Sequence, residues 1–250
     1  MTQLLPTPGR PKLRRRVRVI PTLLIDREGR LVKTVRFGKR AYIGDPINAV
    51  RIFNTKQVDE LVLIDIDASA DRRDPNYAQI ADIVAEAFMP VAYGGGLLSM
   101  DQIAKTLDCG LEKIILSSAL SNGTALTGHA ASRWGSQSVT VCLPCSRNWR
   151  KTYKVRLLQG RRAIRGTPDI IARQVTTAGA GEIIAYSIDR DGTWQGYDLE
   201  LLSRVSKATD LPVVGCGGAG GVDDFQRAIV DGGCAAVAAG SLFVYQGKDR

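Results

Sequence analysis

The chain repeats itself at a fixed distance. Sliding Pro90 of PVAYGGG onto Pro212 of LPVVGCGGAGG is a shift of 122 residues. Held without a gap, the same shift superposes Glu60 on Glu182, Ile66 on Ile188, Asp67 on Asp189, Gly95 and Gly96 on Gly217 and Gly218, Asp101 on Asp223, and Gly110 on Gly232. One shift sustained over about fifty residues marks two similar halves, each carrying an apolar run, a glycine cluster and a helix-like segment.

Apolar β-type runs lie at 17–24, 61–66, 90–93, 113–116, 138–143, 182–188, 212–215 and 235–239. Between most of them come helix-like stretches, at 46–54, 76–88, 100–107, 125–134, 167–178, 199–208 and 222–230. Short apolar runs without strict alternation fit strands buried on both faces, as in a parallel sheet. Eight β/α units with twofold repetition predict a (β/α)8 TIM barrel, for which 250 residues is an ordinary length. A doubly wound open sheet is the alternative, but it does not readily explain the ungapped half-chain repeat. Residues 1–15, with three prolines, read as an irregular basic leader before a single domain over 16–250, whose last helix looks cut short at Arg250.

Charge narrows the function classes. The formal net charge is +9, yet six Lys/Arg fall within residues 1–18 and eight within 147–165, and neither segment holds an acid. Setting those fourteen aside leaves 20 basic residues against 25 acidic ones, which excludes a uniformly basic nucleic-acid binder. The two segments suit an anionic small substrate or a partner surface, or else are solvated arms. No apolar run reaches the length of a membrane span, and no signal-peptide core follows the basic N-terminus, so a cytoplasmic location is expected. Cys142 and Cys145 form the single CxxC of five cysteines, without a second pair or a nearby histidine to complete a metal site. All five read as reduced thiols, since Cys109, Cys216 and Cys234 sit in or beside apolar runs. The lone histidine, His129, sits in a polar helix-like segment, which weakens any mechanism built on a histidine base.

In such a barrel the loops after the strands gather on one face. Glycines there let backbone amides approach an anion, and the helix that follows adds a favourable dipole. The repeat predicts two anion corners, one after the third strand and one after the seventh. Ser117-Ser118 and Gly240-Ser241, related by the same shift, would complete them. The carboxylates of SIDRDGTWQGYD (187–198) suit either acid/base work or turn capping.

These residues carry a resemblance. Residues 16 to about 245 resemble the cyclase subunit of imidazole glycerol phosphate synthase, HisF, in GRLVK (29–33), GDP (44–46), DELVLIDIDAS (59–69), GGG (94–96), the stretch from GAGEI to GYD (179–198) and GGAG (217–220). The resemblance implies a barrel of two half-barrels that binds a substrate phosphorylated at both ends and uses ammonia from a separate glutaminase (HisH-like) subunit. It implies one phosphate on Gly95, Gly96, Ser117 and Ser118, and the other on Asp191, Gly192, Gly217, Gly218, Gly240 and Ser241. Arg18, Glu60, Lys113 and Glu182 match the charged ring through which ammonia enters, and Lys33 matches a lysine of the mobile loop over the substrate. No metal or other cofactor is implied, and neither nucleic acid nor membrane is an implied partner.

The departures concern chemistry. The family's two acid/base aspartates match Leu24 and Pro144, and the one-residue insertion needed near the first leaves Asp26 nearby but displaced. Neither leucine nor proline carries a proton, and losing one general acid or base costs about 10²- to 10⁴-fold in rate. The IPTLLID start and the DIDAS run are more similar to the branch found with surface-polysaccharide genes. There a HisF-like subunit and its glutaminase are thought to convert a sugar acetamido group to an acetamidino group; leucine is common at the first aspartate position, while the second aspartate is usually kept. The expectation is a HisF-like synthase subunit amidinating a nucleotide-linked amino sugar, with Lys33, Asp189 and Asp191 as remaining polar candidates. The histidine-pathway cyclase and a non-catalytic activator of a glutaminase stand as alternatives.

Overall fold

A computed structural model of the chain describes residues 17–244, so the expected leader at 1–15 and the cut-short end near Arg250 lie outside the described residues. Eight parallel strands form the frame: β1 (Arg18–Ile25), β2 (Leu61–Asp65), β3 (Val91–Gly94), β4 (Lys113–Leu116), β5 (Val139–Arg147), β6 (Glu182–Ser187), β7 (Val213–Cys216) and β8 (Ala236–Ala239). Each pairs with the next, and β8 pairs back onto β1 with Arg18 opposite Ala236, which closes the sheet into a barrel. The (β/α)8 fold read from the repeat is the observed one.

The strands lack polar alternation because both of their faces are buried. Leu23, Leu61, Leu63, Tyr93, Ile114, Val141, Ile183 and Val213 point outward into two apolar clusters shared with the helices. Ile20, Val62, Ala92, Ile115, Cys142, Ile184, Val214 and Ala236 point inward and fill the bore. The surrounding helices are α1 (Pro46–Lys56), α2 (Tyr77–Glu86), α3 (Met100–Leu107), α4 (Ala125–Trp134), α5 (Pro168–Thr177), α6 (Leu199–Ser206) and α7 (Val222–Val230). Several start where a side chain satisfies a free backbone amide: Asp45 accepts from Ile47 N with Pro46 next in line, Asn76 from Gln79 N, Ser99 from Gln102 N and Asp198 from Leu201 N.

Two additions break the plain β/α alternation. Strands Leu31–Thr34 and Arg40–Gly44 form a hairpin after β1. Tyr153–Leu157 pairs antiparallel with the end of β5 and then with Arg162–Ala163, giving a second hairpin. The repeat also changes step here. Thr22 pairs with Val62 as Cys142 pairs with Ile184, so β1 and β5 are related by 120 residues (22 to 142) although β2 and β6 keep 122 (62 to 184). Leu24 and Pro144 are therefore equivalent positions of the two halves.

Candidate active site at the barrel mouth

The bottom of the barrel, at the N-terminal ends of the strands, carries a closed ring of charge. Arg18 Nη1 lies 2.5 Å from Glu60, and the other arm of Arg18 reaches Glu182. Lys113 Nζ lies 3.0 Å from Glu60 and 3.4 Å from Glu182. Burial opposes the charge on Arg18, but Glu182 and Glu60 outweigh it and raise its pKa. Two cations answer two carboxylates, and the four residues expected at this end meet in one network.

At the opposite end the two glycine corners match in detail. Gly95 and Gly96 have φ of 132° and 70°, and Gly217 and Gly218 have 93° and 106°. A Cβ on Gly95 would fall 2.5 Å from the carbonyl oxygen of Asp65, and one on Gly217 would fall 2.5 Å from that of Ser187. Asp65 and Ser187 are themselves 122 apart, so each turn presses on the same neighbouring strand end and tolerates no side chain.

Around these turns the corners diverge. Gly95, Gly96, Ser117 and Ser118 line a cavity of about 140 Å³ whose floor is apolar: Val62, Ile64, Ile115, Cys142, Ile184 and Ala238. Gly192, Gly217, Gly218, Gly240 and Ser241 line a pocket of about 20 Å³ with Asp191, Lys33 and Trp194. Lys33 is the reason it is small: its Nζ would lie 1.8 Å from a Cβ on Gly240, so the amine occupies the space beside that glycine. Burial lowers the Lys33 pKa to about 8, against the opposing pull of Asp191. The two pockets share Thr22, Tyr186 and Cys216 as a common wall.

Leu24 and Pro144 both line the larger cavity, so two apolar groups stand where the resemblance expects carboxylates. The carboxylates nearby are committed elsewhere. Asp26 binds the Glu28 and Arg30 amides and the Arg30 guanidinium, which outdoes burial and lowers its pKa. Asp65 accepts from Asp67 N, Ala68 N and Arg73, although burial still raises its pKa. Asp189 accepts from Arg147 N at 2.8 Å, and Asp191 from Thr34 Oγ1 and Tyr186 Oη, each at 2.7 Å. Asp198 caps α6 and holds Tyr153 Oη. Of the three polar candidates, Lys33 and Asp191 come together in the smaller pocket, whereas Asp189 is spent on ordering the end of β5.

The two hairpins cross above the cavity. From the first, Arg40 makes a two-pronged contact with Asp67, at 2.7 and 2.6 Å. From the second, Gln159 Nε2 donates to the same carboxylate at 2.9 Å and to Ile66 O at 2.7 Å. Burial would raise the Asp67 pKa, but the Arg40 guanidinium overrides it and brings the pKa down. The tip that reaches across, Leu158-Gln159-Gly160, has three successive positive φ angles. Arg40, Leu158 and Gln159 line the cavity roof and were not singled out from sequence, whereas Arg156 beside them was read only as one of the eight bases of 147–165. A signal was there: in YKVRL, Tyr153, Val155 and Leu157 are buried and alternate with Lys154 and Arg156, the mark of a half-buried strand.

Cys142 faces the bore and Cys145 the outer core, because three residues along a strand reverse the side-chain direction. They share no site, and among the described residues no cluster suited to a metal ion occurs. His129 is exposed on α4, remote from the mouth cavity's lining. No helix among the described residues is long and apolar enough to cross a membrane.

Comparison with known proteins agrees with this geometry. The family described as "Histidine biosynthesis protein" matches residues 18–250. The chain is 44% identical over 239 residues to a Pseudomonas aeruginosa protein named "Putative imidazole glycerol phosphate synthase subunit hisF2", covering 94% of this chain and 93% of that one. It is 36% identical over 228 residues to the imidazole glycerol phosphate synthase subunit HisF of Alkaliphilus metalliredigens, covering 91% and 90%.

Proposed function

Because the chain belongs to the HisF family of histidine-biosynthesis proteins, we propose that it is the ammonia-using subunit of a glutamine amidotransferase pair. Its glutaminase (HisH-like) partner docks at the charged ring of Arg18, Glu60, Lys113 and Glu182, and ammonia travels up the apolar bore to an anionic, phosphate-bearing substrate at the glycine-rich mouth. The reaction we assign is amidination: ammonia adds to the carbonyl carbon of an acetamido group on a nucleotide-linked sugar, the carbonyl oxygen leaves as water, and an acetamidino group remains.

The observation that carries this reading is the pairing of Leu24 and Pro144 over an apolar floor. A ring closure driven by two carboxylates has no carboxylates there, whereas an acetamido group is uncharged and its methyl is matched by that floor. Water leaves only if its oxygen gains protons. Lys33, with a pKa near 8, is mostly protonated at neutral pH and serves as the donor. Asp191, fixed by hydrogen bonds from Tyr186 and Thr34, lines the same pocket as Lys33.

The test is a direct assay of the purified chain with an ammonium salt, and with its glutaminase and glutamine, on a nucleotide-linked acetamido sugar. Mass spectrometry should show exchange of one oxygen for an NH group. Turnover of the cyclase substrate of histidine biosynthesis at rates typical of the family would overturn the reading. The commitment of the mouth carboxylates to other partners favours a second reading, a non-catalytic activator. Stimulation of the glutaminase without binding of any phosphate compound would establish that one instead.

A further inference from the structure

The cavity under the crossing hairpin contains one charge that the fold does not answer. Arg156 lines it from the roof, half-buried, with its Nη1 donating to Gly160 O at 3.3 Å. No carboxylate pairs with it among the described residues. The neighbouring arginines are different: Arg40 is gripped by Asp67 and Arg73 by Asp65. Asp65, the one carboxylate among the described residues of the cavity lining, is already held by Arg73 and two backbone amides. A guanidinium that lines a cavity without a counter-charge leaves most of its donors available to an incoming anion.

We propose that Arg156, with Arg40 across the rim, extends the corner of Gly95, Gly96, Ser117 and Ser118 from a site for one phosphoryl group into a site for a diphosphate. This rests on the reading of that corner as a phosphate site, and it deepens it: the substrate is a diphosphate ester of the nucleoside-diphosphate type, anchored by one end. The unequal pockets point the same way. A substrate phosphorylated at both ends needs two open corners, yet the second corner is about 20 Å³ against about 140 Å³ for the first, and the Lys33 amine takes up its space. With one corner open, both phosphoryl groups belong there. The glycine amides and serine hydroxyls suit one of them. The planar fork of Arg156 suits the next, and Arg40, already half-neutralised by Asp67, adds charge at the edge.

Isothermal titration of the full chain at fixed ionic strength, with inorganic phosphate and with inorganic pyrophosphate, separates the possibilities. Pyrophosphate should bind at least about tenfold more tightly. Arg156→Gln should weaken pyrophosphate about 10- to 100-fold, the worth of a charge-assisted contact, while changing phosphate affinity by less than about threefold. Arg156→Lys should recover part of the loss, and Arg150→Gln, on the exposed hairpin tip away from the cavity, should change neither ligand by more than about twofold. An unchanged unfolding midpoint for Arg156→Gln shows that the fold is kept; if it falls, Arg156→Lys carries the comparison. Equal affinity for the two anions in the wild type, or equal losses in Arg156→Gln, overturns the diphosphate site while leaving the phosphate corner standing. Binding of neither anion overturns both.

Discussion

At the bottom of the barrel, Arg18 and Lys113 meet Glu60 and Glu182 in a ring that is neutral within itself. At the mouth the charges do not balance: Asp65 and Asp67 are held by Arg73 and Arg40, Lys33 is buried where its charge is disfavoured, and Arg156 has no carboxylate partner among the described residues. One end of the bore is complete without a ligand and the other is built around charge that a ligand would complete. Removing a residue from the bottom should therefore cost more stability than removing one from the mouth, where losing a buried charge can even stabilise the fold.

The largest expected effect tests the self-sufficient end. Glu60→Gln leaves Arg18 and Lys113 sharing a single carboxylate and should lower the unfolding free energy by about 3 kcal/mol, measured in urea. A loss below about 1 kcal/mol would mean that water already screens the ring, and the contrast between the two ends would disappear.

A somewhat smaller effect is expected from Lys33. Its folded pKa is depressed from 10.5 to about 8, so below pH 8 the folded state carries a buried charge that the unfolded chain carries in water. Between pH 8 and 10.5 the folded state sheds the proton before the unfolded state does, and stability gains with rising pH. Lys33→Met should be more stable than wild type by roughly 2 to 3 kcal/mol at pH 7, with the gap closing from pH 8 to 10.5. A gap independent of pH over this range would show that the folded and unfolded states bind the Lys33 proton equally, so that burial does not depress its pKa.

The smallest effect is at the strap. Asp67→Ala frees Arg40 and Gln159 together and should cost about 1.5 kcal/mol. Hydrogen exchange should quicken at the amides of 36–40 and of 156–163 alike. Faster exchange in one hairpin alone would break the idea that a single carboxylate serves both.

The frame of this molecule was legible because the repeat and the runs of apolar residues are enforced by burial on two faces, which leaves little freedom in where a strand such as Leu61–Asp65 can lie. Helices were equally readable: α3, capped by Ser99, and α4 and α7, which have no side-chain cap, have the limits expected of them. The hairpins were not. Leu31–Thr34 follows a turn at 26–29 that Asp26 and Gly29 announce, but at four residues the run is too short to declare a hairpin by itself, and YKVRL was read for its charge when its alternation was the more informative property. Leu24 and Pro144 could be matched to a family position from sequence. That both face the same cavity required the register, since a shift of one residue would have turned either of them outward. The closure of the second corner by Lys33 is a tertiary fact with no local sequence sign.

The carboxylate of Asp67 has a meaning beyond the contacts it makes. Two hairpins that arise 120 residues apart, after equivalent strands, are tied to one side chain. An anion that draws Arg40 away weakens the hold on Gln159, and lifting Gln159 loosens Arg40. Through that shared carboxylate the two straps are coupled, so a change at either one is felt at the other.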